Sequence, residues 1–227
     1  MQMAAGASSL EELGFAISTC SACPRLVRHR MEVALHPPRA HRGEQYWAKP
    51  LAGFGDPQAW LVVVGLAPAA QGGNRTGRIF TGDRSGDWLF RALWRAGFAN
   101  QPTSVSRDDG LELKEAWVTA AVRCAPPGNR PSVEERDTCK PWLARELELL
   151  ERARVVIALG AFAHHVLVGL FGLRPKPAFR HLREAQLKPG MVLLDSYHPS
   201  QRNTFTGLLS ADDFDRVFAR ARELGPS

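Results

Sequence analysis

Four cysteines, Cys20, Cys23, Cys124 and Cys139, are the only ones in the chain, and they form one spaced set: a close C-x2-C pair, a long gap, then a wide pair. In a cytosolic protein such a set more often binds metal than forms disulfides. A zinc ribbon normally shows two close pairs, whereas a cubic iron–sulfur core suits thiolates drawn from separate segments. Spacing alone leaves three readings open: an iron–sulfur cluster, zinc, and unligated thiols.

Three further segments carry chemistry-capable residues. Gly65-Leu-Ala-Pro-Ala-Ala-Gln-Gly-Gly-Asn-Arg-Thr-Gly-Arg78, followed by Ile79-Phe80-Thr81-Gly82-Asp83, is glycine-rich, so its backbone amides could approach a ligand closely. It lacks the Gly-Lys-Ser/Thr of a phosphate-binding Walker loop. Phe80 could stack on a planar base or simply plug the core. Cys124-Ala-Pro-Pro-Gly-Asn129-Arg130 offers a side-chain amide in a stiff turn. An amide both donates and accepts, as the edge of a pyrimidine requires, but asparagine is also an ordinary turn former. Ser196-Tyr197-His198-Pro199-Ser200-Gln201-Arg202 holds a histidine that could donate to a ligand or serve only the structure.

The elements between these segments should bring them together. Trp60–Gly65, Trp117–Arg123, Val155–Gly160 and Met191–Tyr197 read as four strands, the first a continuous apolar run expected of a strand buried on both faces. Helices are expected over Gly86–Gly97, Ala161–Phe171 and Ala211–Leu224. Another follows Ser132, where Glu135 completes a capping box and Pro141 should kink or restart the helix. Ser9 can cap a helix to about Thr19, and Pro24 can open one through Leu35. His36–Gln58 reads as an ordered loop anchored by Tyr46, Trp47 and Phe54. This alternation implies one α/β domain over residues 1–227: three layers, with a central four-stranded, mostly parallel sheet flanked by helices and a helical segment near residues 9–35 beside the cysteines. Ligands of such sheets bind beyond the carboxyl ends of the strands, where all three segments should meet.

A formal charge of +6 and a pI near 9.5 favour an anionic partner such as nucleic acid. The cations are mainly arginine, with lysine only at positions 49, 114, 140, 176 and 188. No apolar run is long enough to span a membrane, and Met1 to Ser9 shows no secretory signal, so a cytoplasmic protein is expected.

Gly65-Leu-Ala-Pro-Ala, Asn74-Arg-Thr-Gly-Arg78, Phe80-Thr-Gly-Asp83, Arg123-Cys-Ala-Pro-Pro-Gly-Asn129 and Tyr197-His-Pro-Ser200 together resemble the motifs of the uracil-DNA glycosylase superfamily. With the four cysteines they are most similar to its family five, the bacterial and archaeal type b enzymes, from about Cys20 to Gly207. The resemblance implies a monomer that flips uracil, or another deaminated base such as hypoxanthine, out of double- or single-stranded DNA and hydrolyses its glycosidic bond. It also implies a 4Fe-4S cluster on Cys20, Cys23, Cys124 and Cys139. By analogy Asn129 reads the base edge, Phe80 stacks on its face and His198 bonds the departing oxygen, with Gly65, Leu66 and Ala67 completing the base site. Other families carry a polar residue in the first loop to position water. Here Leu66, Ala67 and Ala69 stand there, which leaves Asp83, otherwise a helix cap, as the candidate for the water or the sugar charge. Arg75, Arg78, Arg84, Arg130 and Arg202 are candidates for phosphate contacts, and Gln201, Arg202 or Phe205 for filling the gap left by the flipped base. Two other readings compete: a non-catalytic iron–sulfur nucleic-acid-binding module of the same fold, and a hydrolase of free nucleotides.

Overall fold

The computed structural model describes residues 6–226, so the first residues of the amino-terminal stretch read above lie outside it. One six-stranded sheet, in the order β1-β3-β2-β4-β6-β5, forms the middle layer. Its centre is parallel: β3 (Ala116–Ala120), β2 (Leu61–Gly65), β4 (Val155–Leu159) and β6 (Met191–Ser196). These are the four strands expected from the apolar runs, and the first three are buried along their whole length. The structure adds two antiparallel edges, β1 (Phe54–Gly55) and β5 (Glu184–Lys188). Only Leu187 of β5 is buried. An edge strand with one neighbour and a wet face has no apolar run to mark it.

Alternation along the strands divides the core between two faces. Leu61, Val63, Val118, Ile157 and Leu194 pack with the helices α4 (Arg84–Arg95) and α8 (Ala211–Leu224) on one side. Val62, Val64, Val156 and Leu193 pack with α5 (Val133–Leu149) and α6 (Ala161–Leu170) on the other. A third cluster joins α1 (Leu10–Ser18) and α2 (Pro24–Leu35) to α5 through Leu13, Ile17, Leu26 and Trp142. The short helices α3 (Gly73–Thr76) and α7 (Gln201–Phe205) lie in the loops beyond β2 and β6. No helix among the described residues is long and apolar enough to cross a membrane.

Caps fix where several helices begin. Ser9 accepts from the Glu12 amide, and Ser132 and Glu135 form the reciprocal capping box. Pro141 does not restart α5, which runs continuously through it. Of the expected loop anchors, Tyr46 is buried, while Trp47 and Phe54 are half-buried.

One buried ion pair ties the sheet to α5. Arg123, just beyond β3, bonds Glu146 of α5 at 2.6 Å, and both side chains are 2% exposed. Glu146 also accepts from the Thr119 hydroxyl at 2.6 Å and the Gly53 amide at 3.1 Å. Removing one partner of such a pair leaves a buried charge uncompensated. Glu146→Gln should therefore destabilise the protein by about 3–5 kcal/mol in urea unfolding; a loss under about 1 kcal/mol would show that the network tolerates an unpaired Arg123.

Candidate active site and cysteine cavity

The carboxyl ends of the parallel strands open into a cleft of about 500 Å³. Leu66, Ala67, Pro68 and Ala69 line it from the loop after β2, and Phe80, Asp83 and Ser85 from the approach to α4. Gly128, Asn129 and Arg130 come from the loop after β3, and His198, Ser200 and Arg202 from the loop after β6. The three segments distant in sequence thus converge. Among the lining residues Asp83 is the sole carboxylate, and none is a lysine.

Phe80 is held in a left-handed backbone conformation, with φ of 53°. Two glycines make room for it. A Cβ on Gly86 would stand 1.8 Å from the Phe80 carbonyl oxygen, and one on Gly65 would stand 2.6 Å from its ring. Phe80 is both core residue and cleft wall: 6% exposed, packed in the sheet cluster, its ring 5.9 Å from that of His198. Gly65 lies behind the Phe80 ring, outside the cleft lining, and its missing Cβ makes room for that ring.

Asp83 is a helix cap that also lines the cleft. It is the N-cap of α4, its Oδ1 accepting from the Gly86 amide at 3.0 Å, and it lines the cleft. Its Oδ2 rests against Gly72, where a Cβ would come within 2.1 Å. Burial pushes its carboxyl above the ordinary value, against the opposing pull of the helix amides. His198 is held by its backbone, the Asn203 side-chain amide donating to its carbonyl at 2.8 Å. Desolvation pushes its pKa down to about 4, so the ring is neutral at physiological pH. Asn129 is exposed, with φ of 56°, a conformation that asparagine tolerates better than most residues.

The arginines divide into two groups. Arg84, Arg130 and Arg202 are exposed, as is Gln201 beside them in sequence, and Arg130 and Arg202 line the cleft. Arg84 lies over the exposed Phe205 ring at 5.1 Å. Arg78 is buried and Arg75 half-buried, and both engage their guanidinium groups within the protein instead of presenting them freely at the rim. Arg78 is 5% exposed and bonds Thr81, Ser104, the Arg107 carbonyl and both oxygens of Asp109. Arg75 bonds Glu44 and the carbonyls of Gln71 and Gly82. Every guanidinium nitrogen of both is engaged in shaping the loop that carries Phe80 and Asp83. Their partners Asp109, Ser104 and Glu44 lie in other segments, and no local signal marked them.

All four cysteines line a second, small cavity with Leu26, Arg30, Arg123 and Trp142. Cys20 and Cys23 are half-buried, Cys124 and Cys139 buried. The Arg30 Nη1 donates to the Cys124 sulfur at 3.0 Å and the Arg123 amide to the Cys139 sulfur at 3.3 Å. Burial pushes the Cys124 thiol up to about 11 and the Cys139 thiol up to about 12. Among the described residues no group of three or more His, Cys, Asp or Glu is arranged to hold a single metal ion.

The packing around Phe80 gives a direct test. Gly65→Ala should cost about 1–3 kcal/mol in chemical denaturation, because the added carbon overpacks the ring. Gly169→Ala on α6, with nothing within 4 Å of the new Cβ, should be neutral or slightly stabilising. Equal effects at both positions would refute the clash.

Comparison with known proteins follows the same lines. The description of the Uracil DNA glycosylase superfamily matches residues 52–222. The chain is 50% identical over 225 residues to the Type-5 uracil-DNA glycosylase of Mycobacterium leprae (strain TN), covering 98% of each chain. Identity to the Type-5 uracil-DNA glycosylase of Thermus thermophilus is 48% over 209 residues, 92% of this chain and 94% of the relative. To that of Pyrobaculum aerophilum it is 46% over 202 residues, 89% and 87% of the two chains. The chain belongs to the uracil-DNA glycosylase superfamily, in its type-5 family.

Proposed function

We propose that this chain excises uracil from DNA by hydrolysing the N-glycosidic bond, leaving an abasic site, and that the cleft between Phe80, Asn129 and His198 receives the flipped base. The observation that carries this reading is the convergence of Asp83, Asn129 and His198 in that one cleft beside the Phe80 ring. It separates an enzyme from a non-catalytic binding module, which needs no buried carboxylate opposite a neutral imidazole. The exposed arginines at the rim favour polymeric DNA over a free nucleotide.

The chemistry follows from the charges. As the bond between sugar and base breaks, its electrons leave with the base and positive charge develops on the sugar. His198, neutral and desolvated, donates an N–H to the base oxygen, where negative charge is greatest at the transition state. Asp83 faces the sugar, where it stabilises positive charge or takes the proton of the attacking water. Asn129 reads the pyrimidine edge. No lysine lines the cleft, so the reaction proceeds without a covalent imine. The apolar first loop of Leu66, Ala67 and Ala69 also leaves room for other deaminated bases. Arg84, Arg130 and Arg202 contact phosphates, and Gln201, Arg202 or Phe205 fills the gap in the stack.

Cys20, Cys23, Cys124 and Cys139 would hold a 4Fe-4S cluster. The residues fit such a group: all four cysteines line one cavity, and the sulfurs of Cys124 and Cys139 accept hydrogen bonds, as cluster thiolates do. When bound it supplies a cross-link between α2, the loop after β3, and α5.

Two experiments test these readings. In single-turnover assays on a uracil-containing duplex, His198→Ala should slow excision by roughly a hundredfold to a thousandfold while leaving affinity for an abasic product nearly unchanged. The parent's rate should show no inflection near 6.5, the ordinary histidine value. It should fall as acid protonates Asp83 at a pH above 3.8, and Asp83→Asn should abolish that limb. Equal rates for parent and His198→Ala would remove the leaving-group role. Separately, purified protein should be brown and contain iron and sulfide in equal amounts, and Cys139→Ala should lose both. Colourless protein with one equivalent of zinc would replace the cluster reading.

A further inference from the structure

Three arginines have almost no exposed surface: Arg78, Arg123 and Arg30. Two of them face a carboxylate, Asp109 for Arg78 and Glu146 for Arg123. Arg30 does not. Its Nη1 points at the Cys124 sulfur, 3.0 Å away, and its two terminal nitrogens reach the Cys20 carbonyl at 3.5 and 3.4 Å. Its Nε has no partner. The nearby Glu135 is already taken by Arg25, which bonds both of its oxygens. A guanidinium stays charged, and a buried charge requires an opposite one. Neutral thiols do not provide it. Four thiolates around an iron–sulfur core do, because the assembly keeps net negative charge.

We propose that Arg30 is the counter-charge of the cysteine-held cluster, and that it retains the cluster by compensating the thiolate of Cys124, while its grip on the Cys20 carbonyl holds the guanidinium in place. The inference rests on the cluster reading above. Arg30 also reaches the loop after β2 through its backbone: its carbonyl accepts from the side-chain amide of Asn74 at 3.2 Å. Asn74 is wholly buried in α3, on the loop that leads to Phe80 and Asp83. One residue of α2 therefore touches the cysteine cavity with its side chain and the catalytic loop with its main chain. Its assignment is as a positioning residue, not a catalytic one.

The test compares Arg30→Gln, which keeps an amide donor without the charge, with Arg30→Lys, which keeps the charge without the planar fork. Iron and sulfide are first measured in the parent. Release of iron to a ferrous-iron chelator is then timed for all three proteins, alongside their melting temperatures. Outer-shell partners of metal sites typically contribute tenfold to a hundredfold in metal retention. Arg30→Gln should release iron faster by roughly that factor, and Arg30→Lys should stay near the parent. If Arg30→Gln is insoluble, retention by Arg30→Lys at the parent rate supports the counter-charge, and rapid loss from a Lys variant that melts like the parent overturns it. Parent-like release from Arg30→Gln overturns the proposal and leaves the cluster reading standing. A parent without iron and sulfide overturns both.

Discussion

The pairing of Arg123 with Glu146 is the interaction on which the rest of the structure leans. It joins the end of a central strand to the long helix α5, at a depth where neither charge could be held alone. Cys124 and the loop bearing Asn129 follow directly from Arg123, and Cys139 lies on the helix that Glu146 anchors. The Arg123 amide itself reaches the Cys139 sulfur. The base cleft and the cysteine cavity are thus two sides of one fixed junction. The Gly53 amide, held by the same carboxylate, brings in the long loop before β2.

The cleft achieves its electrostatics with few groups. A carboxylate and an imidazole are desolvated in the same space, so the acid is pushed toward neutrality and the imidazole away from its charged form. Preorganised dipoles act most strongly in such surroundings, because no bulk water screens them. Holding the groups there depends on missing atoms as much as on present ones: Gly65 and Gly86 give Phe80 its place, and Gly72 gives Asp83 its place.

Much of this was legible in the sequence wherever the determining signal was local. The central strands announced themselves because burial on both faces demands continuous apolar residues, as in Leu61–Gly65. The capping box of Ser132 and Glu135 and the strand-end loops were equally readable. What escaped depended on partners far along the chain. Arg75 and Arg78 looked like surface cations until Glu44 and Asp109 were seen against them. Strand β5, mostly solvated, had no pattern to betray it. The role of Gly65 lay in the ring of Phe80, at the far end of the loop that Gly65 opens, and Arg30 stood among other basic residues on an ordinary-looking helix. Asp83 was read as a helix cap or a group serving the water or the sugar, and the fold shows the cap and sets it in the cleft wall.

The chain order of these parts has a consequence for biosynthesis. The walls of the cysteine cavity are complete in sequence once α5 has been translated, whereas β4, β6 and the loop holding His198 have yet to be made. Because synthesis runs from the amino terminus, every residue lining the cavity is on the nascent chain while the sheet still lacks three of its strands. The cleft is finished only when the last ribosomal stretch delivers His198 and Arg202. A ribosome-bound intermediate of this protein would carry all four cysteines before it owned the histidine assigned to the departing base.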